Sequence, residues 1–244
     1  MPQTSPNPPA GSAPISVYFW PTPNGHKITI MLEECGVPYA LHPINIGRGD
    51  QFAPDFLAIS PNNRMPAIVD PQGPDGKPIS VFESGAILQY LGRKTGRFYP
   101  SEERPRVDTE EWLFWQVSNL GPMGGQAHHF RNYASEKIPY AIARYENEMN
   151  RLYGVLERRL AGRDYLAGDY SIADIACFPW TRSSEKQGQN IDDFPHVKAW
   201  FERIAARPAV QRALQAGADL RAANYDLGKD EEAKKILFGQ RARK

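Results

Sequence analysis

Three short segments in the first ninety residues carry side chains suited to holding charged or polar ligand groups. Pro21-Thr-Pro-Asn-Gly-His-Lys27 joins an apolar run to the first helical pattern, where free backbone N–H groups and the positive end of the helix dipole favour an anion. A thiolate suits such a place: Thr22 offers a hydroxyl donor, Asn24 an amide donor, and Gly25 lets a backbone come close. Ser60-Pro-Asn-Asn-Arg-Met-Pro-Ala67 stands directly before a strand pattern. A cis Met65–Pro66 bond there would present the Met65 backbone N–H and C=O to a ligand's own peptide group. Phe82-Glu-Ser-Gly-Ala-Ile87 sets an acid before a serine at a helix start, so Glu83 can take an ammonium while Ser84 and the helix end take a carboxylate. Each segment also has an ordinary reading, respectively a turn with its cap, a trans X-Pro step and a simple Ser N-cap.

Other chemistries are excluded or disfavoured by residue type and spacing. The 244 residues hold two cysteines, Cys35 and Cys177, with no CxxC or CxnH spacing, which excludes a disulfide scaffold and a Cys-built zinc site and favours a reducing compartment. Cys35 falls on the apolar stripe of the first helix, about three turns from the TPNG loop, and Cys177 lies among Ile175, Ala176 and Phe178. Both read as buried structural thiols. His128 and His129 are adjacent on a helix pattern and so point in different directions, which suits packing or a polar cleft better than a metal. Lys plus Arg (29) nearly cancels Asp plus Glu (28), which leaves no footprint for nucleic acid or an anionic membrane. No apolar run approaches the roughly 18 residues of a membrane span, and the start lacks a signal-peptide pattern, so a soluble, cytoplasmic protein is expected.

The elements that must position these side chains follow from periodicity. The Pro-rich segment 1–14 reads as a flexible arm. Ile15–Trp20 reads as a buried strand, His26–Cys35 as a helix closed by Gly36, Ala40–Ile44 as a strand and Pro54–Ala58 as a short helix. Ala67–Asp70 and Ile79–Phe82 read as strands around a turn, and a helix runs from Ser84 to about Leu91. This β-α-β-α-β-β-α order predicts an α/β domain over 15–92, a parallel pair joined to an antiparallel hairpin. Gly and Pro mark 93–105 as a linker. Beyond it, apolar residues at helical spacing (Trp112, Leu113, Val117; Met149, Leu152, Leu156, Leu160; Val197, Trp200, Phe201, Ile204) predict an all-helical domain over 106–219. Ser171-Ile-Ala-Asp174 matches a capping box, with Tyr170 and Ile175 at the staple positions. The charged tail 220–244 ends in Ile236-Leu237-Phe238, able to dock on the body or to fray.

Taken together, TPNGHKITIMLEE (Thr22–Glu34), ISPNNRMPAIVD (Ile59–Asp70), FESGAILQYL (Phe82–Leu91), GPMGGQAHHF (Gly121–Phe130), IPYAIARY (Ile138–Tyr145) and YSIADIA (Tyr170–Ala176) resemble the glutathione transferase superfamily. The likeness runs from about Val17 to Ala216 and is nearest to the Nu class, the bacterial disulfide-bond oxidoreductases related to a yeast nitrogen regulator. It implies a thioredoxin-like domain followed by a helical bundle, a homodimer, and glutathione as co-substrate without a metal. It implies that Met65 and Pro66 form the cis-proline step that pairs with the cysteinyl unit of glutathione, and that Glu83 and Ser84 clamp its γ-glutamyl unit. Gln51 and Arg64 match positions towards the glycyl end, Thr22 and Asn24 the residues facing the sulfur, and Arg144 an arginine that reaches a ligand in the dimer. Tyr18 stands where tyrosine-type transferases keep their hydroxyl, although in Nu-class relatives it lacks that role and as a strand residue it can point into the core.

The resemblance implies chemistry with a borrowed sulfur. A thiol with pKa near 8.5 is only about 3% ionised at pH 7, and lowering it by about two units raises the thiolate more than tenfold at a cost of roughly 2.7 kcal/mol. Thr22, Asn24 and the helix end can supply that jointly. A thiolate so held attacks a disulfide, and a second glutathione resolves the mixed disulfide. The same site can reduce organic hydroperoxides. Two other activities share the fold: conjugation of glutathione to apolar electrophiles, and a non-catalytic regulatory role like that of the yeast relative.

Overall fold

The computed structural model describes residues 14–218, 220 and 230–241. The arm over 1–13 and parts of the tail, 221–229 and 242–244, lie outside the described residues, as does 219. The chain divides into two compact units, one reaching Leu91 and resuming at Ala209, the other spanning Gly92–Pro208.

In the first unit, β1 (Ile15–Phe19) pairs in parallel with β2 (Tyr39–Pro43) and antiparallel with β3 (Ala67–Asp70), which pairs antiparallel with β4 (Ile79–Phe82), giving the sheet order β2-β1-β3-β4. Along β1, Ile15, Val17 and Phe19 are buried and alternate with half-buried Ser16 and Tyr18, the period-2 pattern of a strand with one face on the core. α1 (Pro23–Cys35) crosses between β1 and β2, and Ile28, Ile30, Met31 and Leu32 are fully buried with Ile68 of β3. A 3₁₀ turn (Asp50–Phe52), α2 (Pro54–Ile59) and α3 (Ser84–Thr95) complete a thioredoxin-like fold.

The second unit is helical: α4 (Glu103–Trp115) runs through a π-helical turn (Gln116–Leu120) into α5 (Gly121–His128), and after a second π turn (His129–Tyr133) come α6 (Pro139–Leu160), α7 (Ile172–Thr181) and α8 (Pro195–Ala205). The apolar stripe expected on α6 is found, with Met149, Leu152, Leu156 and Leu160 all buried. The capping box at Ser171 is formed and becomes the centre of a larger network. Asp174 is fully buried; its Oδ1 accepts from Leu166 N (3.0 Å) and Trp200 Nε1 (2.8 Å), and its Oδ2 from Ser171 N (3.0 Å) and Ser171 Oγ (3.2 Å). α9 (Pro208–Gln215), from its second residue on, and α10 (Glu231–Phe238) group with the first unit.

Element boundaries differ from expectation in two informative places. α1 begins at Pro23, three residues before the expected His26, because a proline suits the first helical position, where no intrahelical donor is needed. The segment read as linker, 93–105, is helical at both ends, leaving only 96–102 between α3 and α4. Gly92, just past the expected helix end at about Leu91, lies inside α3, where a Cβ would come within 2.5 Å of Tyr99; the glycine admits that side chain rather than ending the helix. Arg93 and Lys94 complement the C-terminal end of the dipole, and Gly96, at φ +65°, turns the chain away.

The GPMGGQAHHF motif is a packing device within the helical unit. A Cβ on Gly124 would lie 3.0 Å from the Trp180 ring, so this glycine lets α5 approach α7 closely, while one on Gly121 would lie 2.9 Å from Gln116 Nε2 of the preceding π turn. His128 ends α5 between Trp180 and Tyr133, at ring distances of 6.1 and 6.4 Å. Burial pushes its imidazole down to about 4, with Lys186 adding to the effect and a hydrogen bond to the Ser183 backbone opposing it. An imidazole with a depressed folded-state pKa takes up a proton more readily when unfolded. Its contribution is therefore complete above about pH 6.5 and is lost as pH falls from 6.5 towards 4. The full gap corresponds to up to about 3 kcal/mol. Denaturant titrations at pH 7 and pH 4.5 are expected to show a smaller acid loss in His128→Gln than in the parent protein.

Candidate functional site

The site is assembled at the N-terminal end of α1. Thr22 is the N-cap, with extended backbone; its Oγ1 accepts from Gly25 N at 3.3 Å and donates towards Met65 Sδ at 3.8 Å. Asn24 lies in the first helical turn, where backbone N–H groups lack helical acceptors. The close approach that requires Gly25 is to the protein itself, since a Cβ there would sit 2.3 Å from the Trp20 carbonyl oxygen.

A cavity of about 310 Å³ opens beside this helix end, lined by Asn24, Gln51, Arg64, Met65, Pro66, Glu83 and Ser84. Seven residues singled out in the sequence thus converge. The Met65–Pro66 peptide is cis. Glu83 holds a left-handed backbone (φ +68°), unusual outside glycine and costing of order 1 kcal/mol, at the step where β4 gives way to α3. That turn brings Glu83 beside the loop before β3, where Asn62 Nδ2 donates to Glu83 Oε1 at 3.1 Å. Gln51 is buried; its Nε2 donates to the Ile46 carbonyl at 3.1 Å, while its Oε1 has no partner among the described residues, leaving an acceptor to be satisfied. Arg64 is exposed on the rim, its carbonyl accepting from Ser60 Oγ at 2.7 Å.

Other candidates lie elsewhere. Thr22 does not line the cavity itself and touches it through Met65. Tyr18 stacks on His42 at 5.0 Å and tilts against Phe56 at 6.0 Å, so its ring is packing. Arg144, on α6 of the other unit, is exposed 3.8 Å from Glu148. Cys177 is fully buried as expected, but Cys35 is only half-buried, because it is the last residue of α1 and the chain turns outward at Gly36. Helical rise puts it about 18 Å from the Thr22 end. Neither cysteine is in a disulfide. Among the described residues no group of three or more His, Cys, Asp or Glu is placed to hold a metal ion, and no helix is long and apolar enough to cross a membrane.

Sequence reasoning missed Ile46, Asn62, Asn63 and Leu237 as lining residues. Leu237 belongs to α10, whose Lys235 and Ile236 also face Arg48, Gly49 and Phe52 in an adjoining cleft, so the apolar end of the tail docks on the first unit.

A thioredoxin-like unit with a cleft at the first helix end, followed by a helical unit, is the architecture of a glutathione transferase. Residues 22–94 match the family model for the glutathione S-transferase N-terminal domain, and residues 133–208 match that for its C-terminal domain. The chain belongs to the glutathione S-transferase family. It is 55% identical over 202 residues to the disulfide-bond oxidoreductase YfcG of Escherichia coli (strain K12), covering 82% of this chain and 94% of that protein. Among solved structures it resembles a glutathione transferase family member from Pseudomonas fluorescens with two glutathione bound (46% identity, TM-score 0.78, 82% of this chain and 92% of that one). It also resembles a glutathione transferase from Pseudomonas putida with one glutathione disulfide bound per subunit (43% identity, TM-score 0.79, 83% and 91%).

Proposed function

We propose that this chain is a glutathione-dependent disulfide-bond reductase of the Nu-class type, in which the attacking sulfur belongs to bound glutathione. The observation that carries this reading is the cavity itself: polar clamp residues meet at a helix N-terminus, and neither cysteine is among them. Glu83 and Ser84 receive the γ-glutamyl ammonium and carboxylate, Met65 pairs with the cysteinyl backbone, and Gln51 and Arg64 face the glycyl end. Gln51 Oε1 accepts the glycyl N–H, an assignment supported by its lack of a partner among the described residues. Thr22 and Asn24 donate to the sulfur, and the weakly accepting Met65 Sδ now facing the Thr22 hydroxyl yields that proton to a thiolate.

The reaction runs in two exchanges. The bound thiolate attacks one sulfur of the substrate disulfide, forming a mixed disulfide and expelling a thiolate that takes a proton. A second glutathione thiolate then attacks the glutathione sulfur of the mixed disulfide, yielding glutathione disulfide and the second substrate thiol. Hydroperoxide reduction uses the same nucleophile. We further place the protein in the cytoplasm as a homodimer, with the Trp112–Phe130 region and Arg144 at the contact between copies.

Purified protein given glutathione and a small disulfide tests this reading. Cys35→Ala/Cys177→Ala is expected to turn over within a factor of about two of the parent, since neither thiol takes part. Loss of turnover in a folded double variant rejects the mechanism. A higher rate with an aryl halide than with a disulfide assigns the site to conjugation instead.

A further inference from the structure

Behind the cavity wall lies a charged group that the mechanism so far does not use. Lys27 projects from the second turn of α1 and is 2% exposed, yet its Nζ donates to Ser84 Oγ at 3.1 Å. Ser84 is itself buried and lines the cavity, while Lys27 does not. An ammonium is a donor only, whereas a hydroxyl has one proton and two lone pairs. A serine oxygen that accepts from Nζ therefore directs its own proton to an acceptor elsewhere, and the cavity is the side on which a ligand supplies one. A lysine kept this far from water also brings positive charge to the back of the wall that Ser84 shares with the ligand, where weak screening makes it effective.

We propose that Lys27 is a positioning residue for glutathione: its buried ammonium fixes the Ser84 hydroxyl as a donor to the α-carboxylate of the γ-glutamyl unit and adds charge behind that bond. The inference rests on the reading of Ser84 as the γ-glutamyl contact. Lys27 touches neither the sulfur nor the disulfide, so its effect belongs in substrate capture and not in the exchange step.

The test compares Lys27→Met, which keeps length and removes charge, with Lys27→Arg, Ser84→Ala and the double variant Lys27→Met/Ser84→Ala. For Lys27→Met, KM for glutathione is expected to rise about tenfold or more while kcat at saturating glutathione stays within about twofold. Lys27→Arg is expected to recover most of the affinity. Lys27→Met is expected to add little in the Ser84→Ala background, because the two act through one bond. Glutathione whose α-carboxylate is amidated is expected to bind parent and Lys27→Met equally weakly in calorimetry.

An unchanged KM in folded Lys27→Met, or full additivity with Ser84→Ala, overturns the inference and leaves the glutathione site standing. Failure of the parent protein to bind glutathione overturns the site reading as well. A structure of the parent with glutathione bound is an independent check that needs no variant. The α-carboxylate within hydrogen-bond reach of Ser84 Oγ, with Lys27 Nζ still on that oxygen, supports the inference, and a carboxylate held elsewhere contradicts it.

Discussion

Thr22→Ala is expected to lower kcat/KM for glutathione-dependent disulfide reduction at pH 7 by about tenfold to a hundredfold. A hydrogen bond to a charged acceptor is worth about 1.5–3 kcal/mol, and the Thr22 hydroxyl donates such a bond only when a thiolate replaces Met65 Sδ as its acceptor. The loss is expected to shrink as pH rises towards the pKa of free glutathione thiol, near 8.5, because solvent hydroxide then supplies the thiolate that the protein no longer stabilises. Thr22 also caps α1 through Gly25 N, so the alanine variant forfeits about 1 kcal/mol of stability as well. Thr22→Ser keeps both bonds and is expected to restore rate and melting temperature together. Steady-state kinetics over pH 6–9 with parallel thermal melts separate the two effects, since a pure capping role lowers the melt and leaves kcat/KM alone.

Asp174→Ala is expected to destabilise the fold by about 4 kcal/mol or more. It strands donors from Leu166, Ser171 and Trp200 in a fully buried place, and each unsatisfied group costs about 1–3 kcal/mol. Asp174→Asn is nearly isosteric, but its amide nitrogen must face one of the two pairs of donors, so an intermediate loss is expected. Burial pushes the Asp174 carboxyl up to about 6, against the pull of its four hydrogen bonds. A raised carboxyl pKa makes this group's own contribution most favourable below about pH 4 and progressively less so up to about pH 6. Chemical denaturation of the two variants and the parent at pH 7 measures these losses directly; equal stability of Asp174→Ala and the parent contradicts the network's importance.

The strands and the site loops were legible because their signals are local. Alternation at Ile15–Phe19, the strand pairs at Ala67–Asp70 and Ile79–Phe82, and the Ser171–Asp174 spacing are each contained within a few residues. The TPNG, Met65–Pro66 and Glu83–Ser84 segments carried the site for the same reason, and the resemblance added Gln51 and Arg64. What escaped notice depends on contacts distant in sequence. Nothing around Asp174 announces that Trp200 donates to it, nor around Ser84 that Lys27 stands behind it, 57 residues away in the chain. Gly92 and Gly25 look like turn signals until the Tyr99 ring and the Trp20 carbonyl that crowd them are placed. Ile236-Leu237-Phe238 stands out as an apolar end able to dock, but an apolar tripeptide does not say which surface it covers, so Leu237 at the cavity is not legible.

The central claim is that the protein ionises a borrowed thiol. Its most direct test is an ultraviolet titration of glutathione bound to Cys35→Ala/Cys177→Ala, in which the ligand supplies the only thiol. The thiolate absorbance is expected to appear about two pH units below that of free glutathione, and to move back towards the free value in a variant that also carries Thr22→Ala. A bound thiol that titrates at or above the free value, whatever residue stands at position 22, contradicts the account.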